Sequence, residues 1–375
     1  MSSAIAADAL AAEVPEATAP AEPVSPDPPR TRSLYIDAAR GLLLAVMLVT
    51  PAFGEGDAYP WLHHSPWDGL TVSDFVFPAF MFLSGFSLWF LTRRGFSARV
   101  VRRLVKRVIA LIVAGLVYNA WDTGADLTNL RFTGVLQTIG IAGGLGAIVI
   151  WATRGRRLPV AAVTAVIVMG WGVLVGRPCE GRCSPMFWLD RAIVNDQHLY
   201  RGAASGIDPE GVGQMLIAVA LVLLGWIAAT LLEGERNLLR TWLYAAGLGA
   251  AGLIAMTVVD PNKRLATPSY VAITAAAALT LLLVCRALEH LPVGKQLCWT
   301  ASVLGINSLV VYMGERFVNG ALQHTTVDGR PAHEWLADVL NASPDRAGLA
   351  IGFSVLVALW LVTAAMKALQ WRIAL

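Results

Sequence analysis

Charged residues are scarce in this chain. Only 15% of its 375 residues are Asp, Glu, Lys or Arg, whereas a soluble domain carries about a quarter. Apolar residues make up 56%, and the mean hydropathy is +0.59. Alternating polar and apolar segments of about ten residues, the pattern of a membrane β-barrel, are also missing. The composition therefore argues against a soluble domain and predicts an all-α, polytopic membrane protein.

The first 29 residues contain no Lys or Arg and are rich in Ala, Pro and Glu. They lack the positive start and the apolar core that a secretory signal requires. They also lack the apolar content needed to pack against other elements. We predict that residues 1–31 form a disordered cytoplasmic tail and that residues 32–375 form the membrane domain.

Cysteine is rare as well, with four residues in the chain. Cys285 and Cys298 lie near predicted helix ends and are interpreted as small buried apolar residues. Cys179 and Cys183 share one loop, and the sequence leaves open whether they form a disulfide there.

Apolar runs that could cross about 30 Å of hydrocarbon as helices recur along nearly the whole chain. Ten helices are predicted, over residues 34–52, 71–92, 104–121, 133–153, 158–176, 210–232, 238–259, 268–288, 297–318 and 347–370. Most Lys and Arg residues then fall on one side, which by the positive-inside rule is cytoplasmic. We predict a multi-pass protein of the cytoplasmic (inner) membrane with both termini in the cytoplasm. Because the basic residues lie in short loops, we expect no nucleic-acid partner.

The loop between the first two predicted helices contains His63 and His64, and Asp74 follows near the start of the second helix. Histidine is the side chain best suited to take and return a proton near neutral pH. A neighbouring carboxylate can fix its tautomer and stabilise its charged form. A catalytic histidine is therefore predicted in this loop, on the non-cytoplasmic side. We expect no metal site, because no further ligands are spaced suitably.

Each of these residues also has a structural interpretation. Trp61 and Trp67 are typical of aromatic side chains at a membrane interface. The Thr71-x-x-Asp74 spacing fits a helix N-terminal capping box, which alone would explain the carboxylate. Two adjacent histidines rarely both act, so at least one is expected to be solvated.

Polar residues within the apolar spans are costly and are candidates for function. Asp37 and Arg40 are spaced i, i+3 on one helix face, where they form either a structural ion pair or part of a binding site. Gln137 lies one turn inside a predicted span and needs a partner. Asn307 and Ser308 are candidates for binding, or join helices by hydrogen bonds.

Several segments, taken in order, resemble the heparan-α-glucosaminide N-acetyltransferase family and its bacterial relatives. They are Ser33-Leu-Tyr-Ile-Asp37-Ala-Ala-Arg40-Gly41, Tyr59-Pro-Trp-Leu-His-His64-Ser-Pro-Trp67-Asp-Gly69-Leu-Thr71, Asp74-Phe-Val-Phe-Pro78, Leu130-Arg131-Phe-Thr-Gly134-Val-Leu-Gln137, Asp208-Pro-Glu-Gly211, Pro268-Ser-Tyr270 and Gly305-Ile-Asn307-Ser308-Leu-Val-Val-Tyr312. The resemblance covers roughly residues 32–370 and identifies the membrane domain as a transmembrane acyltransferase bundle.

The resemblance implies a membrane acetyltransferase that takes acetyl-CoA from the cytoplasm and acetylates an amino sugar or sugar-like acceptor on the far side. It also implies a homodimer in the bilayer. It maps the catalytic histidine onto His64, which acts as base or as acyl carrier, with Asp74 as its orienting carboxylate. Asn307 and Gln137 are candidate donors to the acyl carbonyl oxygen. The CoA phosphates are expected to contact part of the set Arg40, Arg93, Arg94 and Arg99. The predicted substrate- and CoA-binding residues are Asp37, Arg40, Trp67, Asp68, Arg131, Gln137, Asn307 and Ser308.

Two positions depart from the family pattern. Relatives often have Asn where this chain has Val49-Thr50-Pro51, and many have Gln-Arg where it has Gln137-Thr138. The first difference bears on the acceptor, and the second removes a charge from the bundle. Two other functions stay open: a sugar or metabolite permease without acyl transfer, and an assembly partner of a cell-envelope complex.

Overall fold

The computed structural model describes residues 33–50, 59–122, 126–176, 184–200, 206–232, 238–343 and 346–373. Within them lie the helices α1 Leu34–Val49, α2 Val76–Thr92, α3 Ala98–Asp122, α4 Val135–Ala152, α5 Arg157–Val175, α6 Pro185–Val194, α7 Val212–Leu231, α8 Leu238–Met256, α9 Pro268–Leu288, α10 Pro292–Ile306, α11 Ser308–His324, α12 Ala332–Val339 and α13 Ala347–Ala368. A short antiparallel hairpin joins β1 Thr326–Val327 to β2 Arg330–Pro331. The predicted tail and the Cys179–Cys183 pair lie outside the described residues.

The prediction of an all-α polytopic membrane protein is confirmed. Among the described helices, seven are long and apolar enough to cross a membrane, or eight if one bent pair forms a single span. Two of the ten predicted spans do not meet this test. The first, α1, has only 16 residues, and α3 carries five basic residues within its first ten positions.

The prediction of one continuous helix over residues 297–318 is wrong. The helix is interrupted at Asn307, and the axes of α10 and α11 differ by 69°. The Asn307 side chain accepts a hydrogen bond from the backbone N–H of Ile373 at 3.1 Å and donates one to the carbonyl oxygen of Trp371 at 3.4 Å. The amide thus ties the break to the C-terminal segment, a long-range contact that helical periodicity does not reveal.

Helices α2 and α7 pack closely at two glycines. A Cβ atom added at Gly85 would overlap the carbonyl oxygen of Val222, and one added at Gly225 would overlap that of Phe82. Small residues at membrane helix interfaces allow such close backbone approach. Since α7 is buried along most of its length, this contact fixes α2, whose start follows the histidine loop and whose end carries Arg93.

Replacing Gly85 with alanine is expected to destabilise the bundle by about 1–3 kcal/mol, because the added methyl group forces α2 away from α7. Gly247→Ala on α8 is the matched control, since a Cβ there meets nothing within 4 Å. Thermal unfolding in detergent should show a lower Tm for Gly85→Ala than for the control. Equal Tm values would contradict the proposed close contact.

Candidate active site

The histidine loop is built around the carboxylate of Asp74, which is fully buried. Its Oδ2 atom accepts hydrogen bonds from the backbone N–H of Thr71 at 3.1 Å, the Thr71 hydroxyl at 2.9 Å and the backbone N–H of Ser65 at 3.1 Å. The predicted capping box is confirmed, at the 3-10 turn Val72–Phe75 that leads directly into α2. The hydroxyl of Tyr270 on α9 also donates to the Asp74 carbonyl oxygen at 2.9 Å. Local and distant contacts together hold this carboxylate rigidly.

The other oxygen of the same carboxylate contacts the histidine. Asp74 Oδ1 lies 2.8 Å from Nδ1 of His64, whose side chain is 55% exposed. An ionised carboxylate can only accept a hydrogen bond, so Nδ1 is the donor to Asp74, and in the neutral ring Nε2 carries the lone pair. The Asp74 carboxylate therefore forms the capping box through one oxygen and contacts His64 through the other. An imidazole arranged in this way can act as a general base or as a nucleophile.

Lys263, in the loop between α8 and α9, completes a triad that the sequence did not predict. Its Nζ atom lies 3.0 Å from Nδ1 and 3.3 Å from Nε2 of His64, and 3.5 Å from Asp74 Oδ1. Burial lowers the pKa of the Lys263 ammonium, while the nearby carboxylates of Glu210 and Asp74 raise it in part. The Lys263 side chain therefore contacts both the histidine ring and the carboxylate that bonds to it.

Contacts on both sides fix the loop that carries Lys263. Asn262 donates a side-chain hydrogen bond to Asp68 Oδ1 at 2.9 Å, which joins this loop to the histidine loop. The Gln214 amide donates to the Lys263 carbonyl oxygen at 2.6 Å, and the Trp171 indole donates to that of Leu265 at 2.8 Å. Asp68, predicted to bind substrate, is thus engaged in positioning the lysine.

The triad opens into a cavity of about 730 Å³. Its walls include His64, Lys263, Arg264, Tyr118, Asn119, Arg131, Gln137, Glu210, Tyr312 and Arg316. The rings of Tyr118 and Tyr312 stack with their centroids 5.0 Å apart. Polar and aromatic groups of this kind are typical of a small-molecule site.

Arg131 and Gln137, both predicted to bind substrate, line this cavity. Arg131 bonds to Asp208 and lies 2.6 Å from Glu210; although burial alone would lower the pKa of its guanidinium, these carboxylates raise it. Gln137 is 2% exposed, and its Nε2 atom has no hydrogen-bond partner within the described part of the chain. Buried polar atoms without partners are rare. This amide is therefore available to a bound ligand.

Comparison with known proteins identifies the relatives of this bundle. Residues 32–190 match the family model described as heparan-alpha-glucosaminide N-acetyltransferase, catalytic. This part of the chain is therefore similar to that family. The heparan-alpha-glucosaminide N-acetyltransferase of Mus musculus is 26% identical over 78% of this chain and 56% of its own length. The Homo sapiens protein of the same name is 26% identical over 76% of this chain and 53% of its own length. The chain spans little more than half the length of these two relatives.

The remaining predicted residues of the family pattern lie elsewhere. Asp37 and Arg40 form the predicted ion pair at 3.8 Å, and Arg40 also donates to the Ser87 hydroxyl at 2.6 Å. Asn307 and Ser308 flank the break between α10 and α11. None of these four is among the described residues that line the His64 cavity. An Asn307 contact with an acyl carbonyl would require its bonds to the C-terminal segment to open.

Trp67 and Thr50, both noted from the sequence, make other contacts. Trp67 packs against the main apolar core, and the guanidinium of Arg264 lies 5.8 Å from its ring centroid. At the position where relatives often have Asn, the Thr50 hydroxyl lies 2.9 Å from that of Ser73, next to Asp74.

Among the described residues, no group of three or more His, Cys, Asp or Glu side chains is placed to hold a metal ion.

Arg107, like Lys263, is a candidate functional residue that the sequence did not single out, and it is partly buried. Arg107 on α3 donates to the Ser84 hydroxyl on α2 at 3.3 Å. It lines a narrow cavity of about 10 Å³ between α2, α3 and α4, beside Gly140 and Gly143. Together with the Arg40–Ser87 bond, two guanidinium groups contact α2 within one helical turn. The signal in the sequence is the basic start of α3, which carries five Lys and Arg residues within its first ten positions.

Proposed function

We propose that this chain is a transmembrane acetyltransferase that moves an acetyl group from cytoplasmic acetyl-CoA to an amino sugar or related acceptor on the opposite side of the membrane. The observation that carries the proposal is the His64–Asp74 contact of 2.8 Å at the wall of a cavity of about 730 Å³ within a membrane bundle. The relationship to the N-acetyltransferase family supports the choice of reaction.

In the proposed reaction, His64 Nε2 takes a proton from the acceptor amine while the amine nitrogen attacks the thioester carbonyl. The new carbon–nitrogen bond replaces the carbon–sulfur bond, and CoA leaves as the thiolate. The proton from the amine remains on His64 Nε2. Asp74 keeps Nε2 unprotonated at the start and stabilises the imidazolium that forms. The Gln137 amide donates a hydrogen bond to the developing oxyanion.

A two-step route uses the same groups. Here Nε2 attacks the thioester itself, CoA leaves as the thiolate, and the acetyl-imidazole then transfers its acetyl group to the acceptor. Trapping acetylated protein in the absence of acceptor would support this route.

The donor is proposed to enter between α2, α3 and α4. Arg40 and Arg107 contact Ser87 and Ser84 on that face of α2, and the glycines of α4 leave a narrow cavity there. Guanidinium groups bind phosphate oxygens well, so Arg40 and Arg107 are our candidates for the CoA phosphates. Arg93 and Arg94 instead line a separate cavity at the end of α2.

Placement in the cytoplasmic membrane, cytoplasmic termini and assembly as a homodimer are further parts of this proposal. The excess of basic residues on one side of the predicted bundle supports the orientation. The family resemblance alone supports the dimer.

The proposal is tested with the purified protein in sealed vesicles that contain labelled acetyl-CoA, with glucosamine supplied outside. Labelled N-acetylglucosamine should accumulate outside while free CoA accumulates inside, and protein-free vesicles should yield neither. Movement of glucosamine across the membrane with the thioester intact would instead favour the permease.

A further inference from the structure

A second large cavity lies at the end of α2 that is opposite the histidine loop. Its volume is about 880 Å³, and it is bounded by the C-terminal ends of α2, α4 and α7 and by the start of α5. The walls include the arginines Arg93, Arg94, Arg154 and Arg157 and the tryptophans Trp89, Trp151 and Trp226. No described residue that lines it is acidic.

Two of these arginines are held in place by the bundle. Arg157 donates to the carbonyl oxygen of Thr230 in the last turn of α7 at 2.5 Å. The guanidinium of Arg93 lies 5.2 Å from the ring centroid of Trp89. Arg154 projects from the left-handed turn that ends α4, where its φ angle is 54°. Four positive charges therefore converge on one concavity, which favours an anionic ligand.

This cavity is separate from the one that contains His64. The described residues that line the two cavities do not overlap. Between them, α2 and α7 are in backbone contact at Gly85 and Gly225, which leaves no room there even for a methyl group. A ligand in the arginine cavity could not pass its reactive end to His64 along the α2–α7 interface.

We propose that the arginine cavity binds the phosphate group of an anionic phospholipid. Tryptophan and arginine side chains at helix ends are typical of the membrane interface, and Trp151 is 63% exposed. Guanidinium groups bind phosphate oxygens through charge-assisted hydrogen bonds, and clusters of Lys and Arg beside membrane helices attract anionic lipids. The lipid would join the ends of three helices. This site does not depend on the proposed acetyl transfer.

The test compares the full-length protein with two double variants by native mass spectrometry after mixing with phosphatidylglycerol or phosphatidylcholine. Arg93→Gln/Arg154→Gln removes two charges from the cavity. Arg99→Gln/Arg102→Gln removes two exposed charges from the start of α3 at the same end, outside the cavity lining. Wild type and the α3 control should retain phosphatidylglycerol over phosphatidylcholine, and the cavity variant should lose this preference by about tenfold or more.

Glycerol 3-phosphate, added without lipid, tests whether the ligand is instead a soluble phosphate compound. If the wild type bound this compound but not phosphatidylglycerol, and the cavity variant did not bind it, the cavity would still be a phosphate site. The proposal that its ligand is a lipid would be overturned. Equal retention of phosphatidylglycerol by all three proteins would overturn the site itself. Thermal unfolding of each variant separates loss of binding from loss of fold.

Discussion

His64→Ala is expected to lower the rate of acetyl transfer by at least about 10²–10⁴-fold, because the general base or acyl carrier is removed. Asp74 and Lys263 would lose the ring between them, but the capping box that begins α2 would remain, since it involves the other carboxylate oxygen. The measurement is labelled acetylglucosamine formed per unit of folded protein, with thermal unfolding recorded for each variant.

His63→Ala is the matched control for this prediction. It removes the same group at the adjacent position, and Asp74 contacts His64 rather than His63. Activity close to wild type is expected for His63→Ala. If both variants lost activity equally, or if His64→Ala retained it, the assignment of the catalytic histidine would fail.

Lys263→Met is expected to lower kcat/KM for acetyl transfer by about ten- to a hundredfold, because it removes a charged donor that contacts both partners of the site. The Nζ atom lies 3.0–3.3 Å from the two ring nitrogens of His64 and 3.5 Å from Asp74 Oδ1. The expected loss is that of one hydrogen bond to a charged group, about 1.5–3 kcal/mol. The measurement is kcat/KM per unit of folded protein, with thermal unfolding recorded for each variant.

Lys263→Arg tests whether charge is the cause. It keeps the positive charge and hydrogen-bond donors near the ring and should retain more activity than the methionine variant. Equal loss of kcat/KM in the two variants would assign the effect to side-chain shape. Wild-type kcat/KM in the methionine variant would remove the lysine from the proposed chemistry.

The site could be predicted from the sequence where its contacts are local. His64 and Asp74 are ten residues apart, and the capping box places the carboxylate at the start of a helix whatever the rest of the bundle does. Lys263 lies 199 residues from His64, in a loop with no distinguishing motif of its own. Its position depends on how α8 and α9 pack against the histidine loop, which residue patterns do not encode.

The fold shows the same division between local and long-range information. Apolar runs predicted most helices, since the length of a membrane span is a local property. The break at Asn307 depends on a partner 66 residues further along the chain, and the apolar periodicity continues across it. Asp37 and Arg40 are similar: their ion pair follows from the i, i+3 spacing, but their separation from the His64 cavity follows from tertiary packing.

The central claim is that His64 faces the side of the membrane opposite to the entry of acetyl-CoA. The direct test uses Pro66→Cys beside the histidine and Ser97→Cys between α2 and α3, each introduced after replacement of the four native cysteines. In intact cells a membrane-impermeant maleimide should label Cys at position 66 and should label position 97 only after lysis. Labelling of position 97 but not position 66 in intact cells would place His64 in the cytoplasm and would contradict acetyl transfer across the bilayer.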